Sequence, residues 1–199
     1  MKKLFALLLC FPLIFSCGGQ TSPTNLNHFN KDVLIEQFNR DMSRCIEASN
    51  NKDWDKIIDI THPKLFDLIT KEQMLAQMES MFMYFKDFQM IAENITDISS
   101  IENYEGDHYT SFFYDNEIVF TFYNSDDFDN ILPTFIDEYG EDNVKAFRTS
   151  NSVNITARSS QIAVLEENSS EWKYIEWQEG YEELLYEIVP ASVIEKLTE

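Results

Sequence analysis

From Val153 to Trp177 apolar and polar residues interleave with a period of two. Val153, Ile155 and Ala157 stand between Asn154, Thr156 and Arg158; Ile162 and Val164 carry a further run; Trp172 and Tyr174 alternate with Lys173, Ile175 and Trp177. That period predicts antiparallel strands with one apolar face and one wet face. Ser159-Ser160 and Glu166 to Ser170 supply polar turns between them. A half-wet sheet needs an apolar layer on its buried side, and the chain upstream has the spacing to provide one.

Lys31 to Asn50 carries Leu34, Phe38, Met42, Cys45 and Ile46 at helical spacing, with Asp32, Glu36, Arg40, Arg44 and Glu47 elsewhere. One amphipathic helix is predicted, with Cys45 on its buried stripe as a small core residue. Asp53 is placed to N-cap a second helix bearing Trp54, Ile57 and Ile58. Pro63 disfavours αR at His62, so a break is expected there, followed by a short turn with Leu65, Phe66, Leu68 and Ile69 inside. Thr70-Lys71-Glu72-Gln73 has the pattern of a capping box and opens a third helix with Met74, Leu75, Met78, Met81 and Phe82. These methionines fit ordinary core filling.

The pattern then changes to strands. Phe88, Met90 and Ala92 alternate; Ile95, Ile98 and Ile101 mark another segment; Glu105-Gly106-Asp107 is a turn. Tyr109 to Tyr123 is dense in aromatic residues, with Asp115-Asn116 as a bulge or turn. Ser125 caps a helix through Tyr139, bent by Pro133 and stopped by Gly140. The tail, with Leu184, Leu185, Ile188 and Val189 before Pro190 and Val193, Ile194 and Leu197 after it, forms one or two short helices. No internal repeat is visible.

Charge narrows the classes of partner. The chain carries a formal charge of −20, and a surface of that sign repels phosphate, which disfavours nucleic acid. It repels anionic head groups too, so membrane contact needs another source. The first 16 residues supply one: Lys2 and Lys3 precede an apolar run from Leu4 to Phe15, and Ser16 precedes Cys17. This is the layout of a secretory signal, and the run is shorter than the roughly 20 residues that a span requires. Leu13-Ile14-Phe15-Ser16-Cys17 resembles the small-residue-Cys box of a bacterial lipoprotein signal. By that resemblance Cys17 is joined through its sulfur to diacylglycerol and acylated, palmitate included, and the protein is a lipoprotein held to the cell envelope by a membrane lipid anchor. Two or three acyl chains hold stably, at about 0.8 kcal/mol per buried CH₂. Residues 17–30 then form a tether, with a reach of roughly 20 Å. No acidic run follows Cys17, which in such lipoproteins implies a periplasm-facing location. With Cys10 in the leader and Cys17 lipidated, Cys45 stands alone and no internal disulfide is expected.

Residues 31–199 are read as a single α+β domain. The helices meet through Asn51-Lys52-Asp53-Trp54, ahead of the His62-Pro63 break. A capping-box helix follows, then a meander of strands, and Tyr139 to Val144 and Glu171-Trp172-Lys173-Tyr174-Ile175 close the pattern. This order resembles the nuclear transport factor 2-like superfamily. The resemblance implies a strongly curved antiparallel sheet packed against three N-terminal helices as a cone, here with an inserted helix and a C-terminal helical tail. Some members of that superfamily catalyse isomerase or dehydratase chemistry in the cone, and others only bind, so fold alone leaves function open.

An isomerase would need a carboxylate base and proton donors for an enolate oxygen. Asp59 and His62 are the candidate pair, and Tyr84, Tyr109 and Tyr114 the candidate donors, with Trp54 beside them in a candidate pocket. The plainer account makes Asp59 a solvated helix acid and His62 the cap of the turn at Pro63. Asp126, Asp127 and Asp129 lack the glycine of a calcium loop, and five glycines leave no phosphate-cradling loop. No metal and no cofactor is expected. The expected role is non-enzymatic: binding a small apolar ligand or an envelope protein. The alternatives are an isomerase- or dehydratase-like enzyme in the cone, and a structural module whose cone is filled.

Overall fold

The computed structural model describes residues 29–177 and 185–197. The leader, Cys10, Cys17, His28, most of the tether and Leu184 lie outside the described residues. In chain order the elements are α1 (Lys31–Asn50), α2 (Trp54–Ile60), a 3-10 turn (Pro63–Asp67) and α3 (Lys71–Phe82). Then follow β1 (Phe85–Ala92), β2 (Glu102–Tyr104), β3 (Asp107–Phe122), α4 (Ser125–Tyr139), a 3-10 turn (Glu141–Asn143), β4 (Val144–Phe147), β5 (Ser152–Leu165), β6 (Lys173–Trp177) and α5 (Ala191–Leu197). The fold class is α+β. The six strands pair antiparallel in the order β1-β3-β5-β4, with β2 beside β3 and β6 beside β5, and the order does not close on itself.

The chain divides into two compact units. The first takes Ile69–Ala92 and Asp115–Arg158, hence α3, β1, α4, β4, the second half of β3 and the first half of β5. Its sheet has the alternation that the sequence predicts. Tyr114 aside, Asn116, Ile118, Phe120 and Phe122 are buried while Asp115 and Glu117 are exposed, and Val153 and Ile155 are buried while Thr156 and Arg158 are not. The apolar face carries a Phe cluster: Phe135 of α4 packs 4.9 Å from Phe120 and 6.3 Å from Phe122, and Phe85 packs 4.6 Å from Phe120. Aromatic pairs at such spacing add about 0.5–1.5 kcal/mol each beyond the area they bury. The register shift falls between Phe85 and Asp87, not at Asp115-Asn116, which lie in unbroken strand with Asn116 opposite Ala92. The N-cap of α4 is Asn124, whose side chain accepts from the Asp127 amide at 2.8 Å, so the cap sits one residue before Ser125. Pro133 lies inside the helix, and Gly140 ends it at φ +83°.

Of the described residues, the second unit takes 29–68, Glu93–Tyr114 and those from Ser159 onward. Asn30 caps α1 through the amides of Asp32 and Val33. Thr70 and Gln73, at the start of α3 in the other unit, form the full capping box. Asp53 occupies the N-cap position of α2, but its carboxylate takes Lys56 at 2.7 Å and makes no cap bond. Glu105 and Gly106, both at positive φ, join β2 to β3 with Tyr104 opposite Asp107. A two-residue loop with that twist suits a right-handed hairpin.

Ser159-Ser160 is not a turn. It lies within β5, and Ser159 to Leu165 are all buried. A strand covered on both faces carries no alternation, and here both faces are covered. Phe38 of α1 stacks on Phe112 at 5.3 Å and meets Tyr174 at 5.6 Å. On the opposite face of β3, Ser111 donates to the Leu197 carbonyl of α5 at 3.2 Å. The hydroxyls of the two serines imitate a turn only in the sequence.

Candidate functional site

Helix α1 buries two adjacent stripes. One is apolar: Leu34, Phe38, Met42. The other repeats every fourth residue and, Cys45 apart, is polar: Gln37, Asp41, Cys45, Ser49, all buried. Residues four apart stand one above another on a helix face, so α1 turns a polar seam inward. The sheet answers with polar residues on its matching face. Ala163 lies opposite Tyr174 and Gln161 opposite Glu176 in the β5–β6 register. Side chains that are paired in this way share a face and stand about 5 Å apart at Cβ. Tyr114 follows Phe112 on the same face of β3 by the two-residue period.

Two acids and two phenols lie in this seam. The Tyr174 hydroxyl donates to Asp41 at 2.6 Å. Burial pushes the Asp41 carboxyl up to about 6; the Tyr174 bond, Arg44 and Arg40 pull the other way, Arg44 at 3.8 Å. Gln37 leans toward the same carboxylate, but its Nε2 closes no hydrogen bond of good geometry. Glu176 is part-exposed along its length, yet its Oε2 is sealed from water, and burial raises its carboxyl well above the usual range. Burial, and then Glu176, raises the Tyr114 phenol; Ser159 and Gln161 nearby oppose that rise.

The seam is short of partners. Gln161 is fully buried; it leans on the Tyr114 phenol, but neither its Nε2 nor its Oε1 closes a hydrogen bond of good geometry, and Glu176 Oε2 and Ser49 Oγ have no partner. A buried polar atom left unpaired costs about 1–3 kcal/mol, and folded proteins tolerate few of them.

The residues singled out from sequence are placed as follows. Tyr114 lies in the seam. His62 is buried at the start of the 3-10 turn: its Nδ1 accepts from the Lys64 amide at 3.3 Å, so its proton sits on Nε2, 3.6 Å from Glu166. Its backbone amide donates to the Tyr174 carbonyl at 3.2 Å. Burial, then Lys64, holds its imidazole down to about 4. This is the capping role, in a dry setting. Asp59 is exposed, and its backbone carbonyl, not its carboxylate, takes Lys173 at 3.0 Å. Tyr109 is buried with its hydroxyl 3.4 Å from Asp107. Trp54 is half-buried at the start of α2, and Tyr84 is exposed in the first unit. Asp41, Gln161 and Glu176 were not among the sequence candidates. The four-residue repeat from Gln37 to Ser49 was the available signal.

No protein-family model, curated protein or solved structure matches the chain. Among the described residues no helix is long and apolar enough to cross a membrane, and no three His, Cys, Asp or Glu side chains group as a metal site.

Proposed function

We propose that the protein is a lipid-anchored, periplasm-facing envelope lipoprotein whose second unit binds a small molecule without transforming it. The carrying observation is the fully buried Gln161 amide, which leans on the Tyr114 phenol without closing a hydrogen bond of good geometry, opposite Glu176 and on the sheet face that meets α1. A filled structural core would pair such groups or replace them with apolar ones. The side chains favour a ligand with hydrogen-bonding groups over the apolar molecule that aromatic density suggests. Anchoring rests on Lys2, Lys3, the apolar run and Cys17. The nuclear transport factor 2-like cone belongs to this proposal, supported by the order of helices and strands, the His62–Pro63 break and the capping box at Thr70.

A second reading has its own observation. Asp41, at about 6 and hydrogen-bonded to Tyr174, has the proton affinity of a general base working near neutrality. On that reading the seam performs isomerase- or dehydratase-like proton transfer.

Mass spectrometry of the protein extracted natively from its host tests the main reading in one measurement. The expected spectrum shows an acylated Cys17 at the mature N-terminus and a second, non-covalent species released on unfolding. Cys17→Ser is expected to move the protein from the membrane to the soluble fraction. An unmodified Cys17 with unchanged membrane retention would remove the anchor. A bare chain from every extraction would remove the ligand.

A further inference from the structure

The sheet of the first unit keeps one face wet, and the charges on that face are partitioned. Asp87, Asp115 and Glu117 stand exposed on β1 and β3, while Lys145 and Arg158 stand exposed on β4 and β5. Three acids against two cations leave the face nearly neutral, in a chain of formal charge −20. The helix side of the same unit differs: Asp126, Asp129, Asp137, Glu141 and Asp142 are exposed along α4 and the turn after it, with Arg148 on Asp129. Two copies that approach by that side repel one another. By the wet face they approach without that barrier.

The face also matches its own reverse. Ile91 lies opposite Glu117, the Asn154 amide donates to Glu117, and Asn154 lies opposite Lys145, so one row reads Ile91, Glu117, Asn154, Lys145 from β1 to β4. Phe147 follows Lys145 on the same side of β4 by the two-residue period. Ile91 and Phe147 are 54% and 51% exposed, at the two ends of the strand order. A second copy turned about a two-fold axis, running along the strands in the plane of the face, lays this row over its reverse. Lys145 of one copy then stands over Ile91 and beside Glu117 of the other, and Phe147 comes beside Ile91. Each contact occurs twice, as an isologous interface requires. We infer that the wet face of the first unit docks a second copy of this chain, sheet on sheet at about 10 Å, with Lys145 set against Glu117 and Phe147 against Ile91 of the other copy. The face spans roughly 20 Å across its four strands and about as much along them. That is less than the about 800 Å² per partner of a standard interface, so the pair is weak and separates on dilution.

Two tagged copies of the full chain test this in the host cell. One carries Ile91→Cys and the other Phe147→Cys, and intact cells are treated with a short bis-maleimide. A covalent dimer bearing both tags is expected. Two copies of Ile91→Cys, or two of Phe147→Cys, are expected to give at least fivefold less, because the axis holds like positions apart. The chain without an added thiol is expected to give none. Lys145→Glu in the Phe147→Cys copy is expected to lower the yield at least threefold, and Glu117→Lys in the Ile91→Cys copy to restore it. Repair from one copy to the other excludes an ion pair within one chain. Both substitutions fall at exposed positions, and far-UV circular dichroism of each variant checks that the fold is kept. Equal yields from like and unlike pairs, or no dimer from any pair, would overturn the inference. So would a yield indifferent to Lys145→Glu. An adduct to a different protein, with no adduct between copies, would give the face to another partner and overturn it as well.

Discussion

Asp41 ties α1 to β6 of the second unit by a hydrogen bond from Tyr174. Its carboxyl is 1% exposed and accepts one short bond from Tyr174, and burial alone would drive it further toward the neutral form. At pH 7 it is largely ionised, so the Tyr174 hydroxyl serves a buried charge, and a hydrogen bond to a charged group contributes about 1.5–3 kcal/mol. Below the pKa of about 6 the partner is a neutral acid and the same bond contributes less. Tyr174→Phe is therefore expected to cost about 1.5–3 kcal/mol in urea unfolding at pH 7 and visibly less at pH 4. A loss that is the same at both pH values would mean that Tyr174 acts through ring packing on Phe38 and Phe112 alone. Sequence periodicity places Phe38, Met42 and Cys45 inward correctly. Asp41 is lost to that reading because a scale of hydrophobicity sends an acid outward, and the largest offset to its burial comes from the tyrosine of a strand 133 residues away.

Elements were legible wherever burial was one-sided. The helix Lys31–Asn50, the capping box at Thr70, the turn at Glu105-Gly106 and the stop at Gly140 all follow from local chemistry, since caps and positive-φ turns are settled within a few residues. In the first unit the strands alternate as written, because α4 covers one face and the other stays wet. In the second unit Ser159 to Leu165 of β5 are buried on both faces, alternation vanishes, and the two serines that look like a turn in the sequence are mid-strand. Two-sided cover comes from segments distant in sequence, so no window on β5 could disclose it. The same logic gives unequal weights to two phenylalanines of the first unit. Phe135 of α4 is fully buried among Phe85, Phe120 and Phe122, and truncating such a ring costs about 3–5 kcal/mol. Phe147 lies on β4, at the end of the strand order, and is 51% exposed. Phe135→Ala is expected to lower stability by about 3–5 kcal/mol and Phe147→Ala by no more than about 0.5 kcal/mol in chemical unfolding. Equal losses would mean that the Phe cluster is not the core of that unit.

At the scale of the whole molecule, buried titrating groups of opposite sense set the response to pH. Asp41 is raised from 3.8 to about 6, so the folded state binds its proton more tightly than the unfolded state does. Its contribution favours folding below pH 3.8 and is lost as pH rises through about 6. Glu176 is shifted in the same sense, raised by burial, so its contribution too favours folding at low pH and is lost as pH rises. His62 runs the other way: lowered from 6.5 to about 4, it favours the folded state above pH 6.5, and that contribution is lost as pH falls through about 4. Lys64 and Lys173 face it as like charges, while Asp107 and Glu166 face it as acids too weakly placed to offset its burial. The shifts of Asp41 and His62 each correspond to about 3 kcal/mol over their full range. Between pH 7 and pH 5 the gain from the acids and the loss from His62 oppose one another, and the intact protein shows only their difference. His62→Gln removes the opposing member while leaving an acceptor for the Lys64 amide. Relative to the parent, this variant is expected to gain about 2 kcal/mol on going from pH 7 to pH 5, measured as the difference between paired urea melts. A difference that stays constant across that range would mean that His62 charges as freely when folded as when unfolded, and that the turn at Pro63 opens to water without disturbing the Tyr174 strand to which it is bonded.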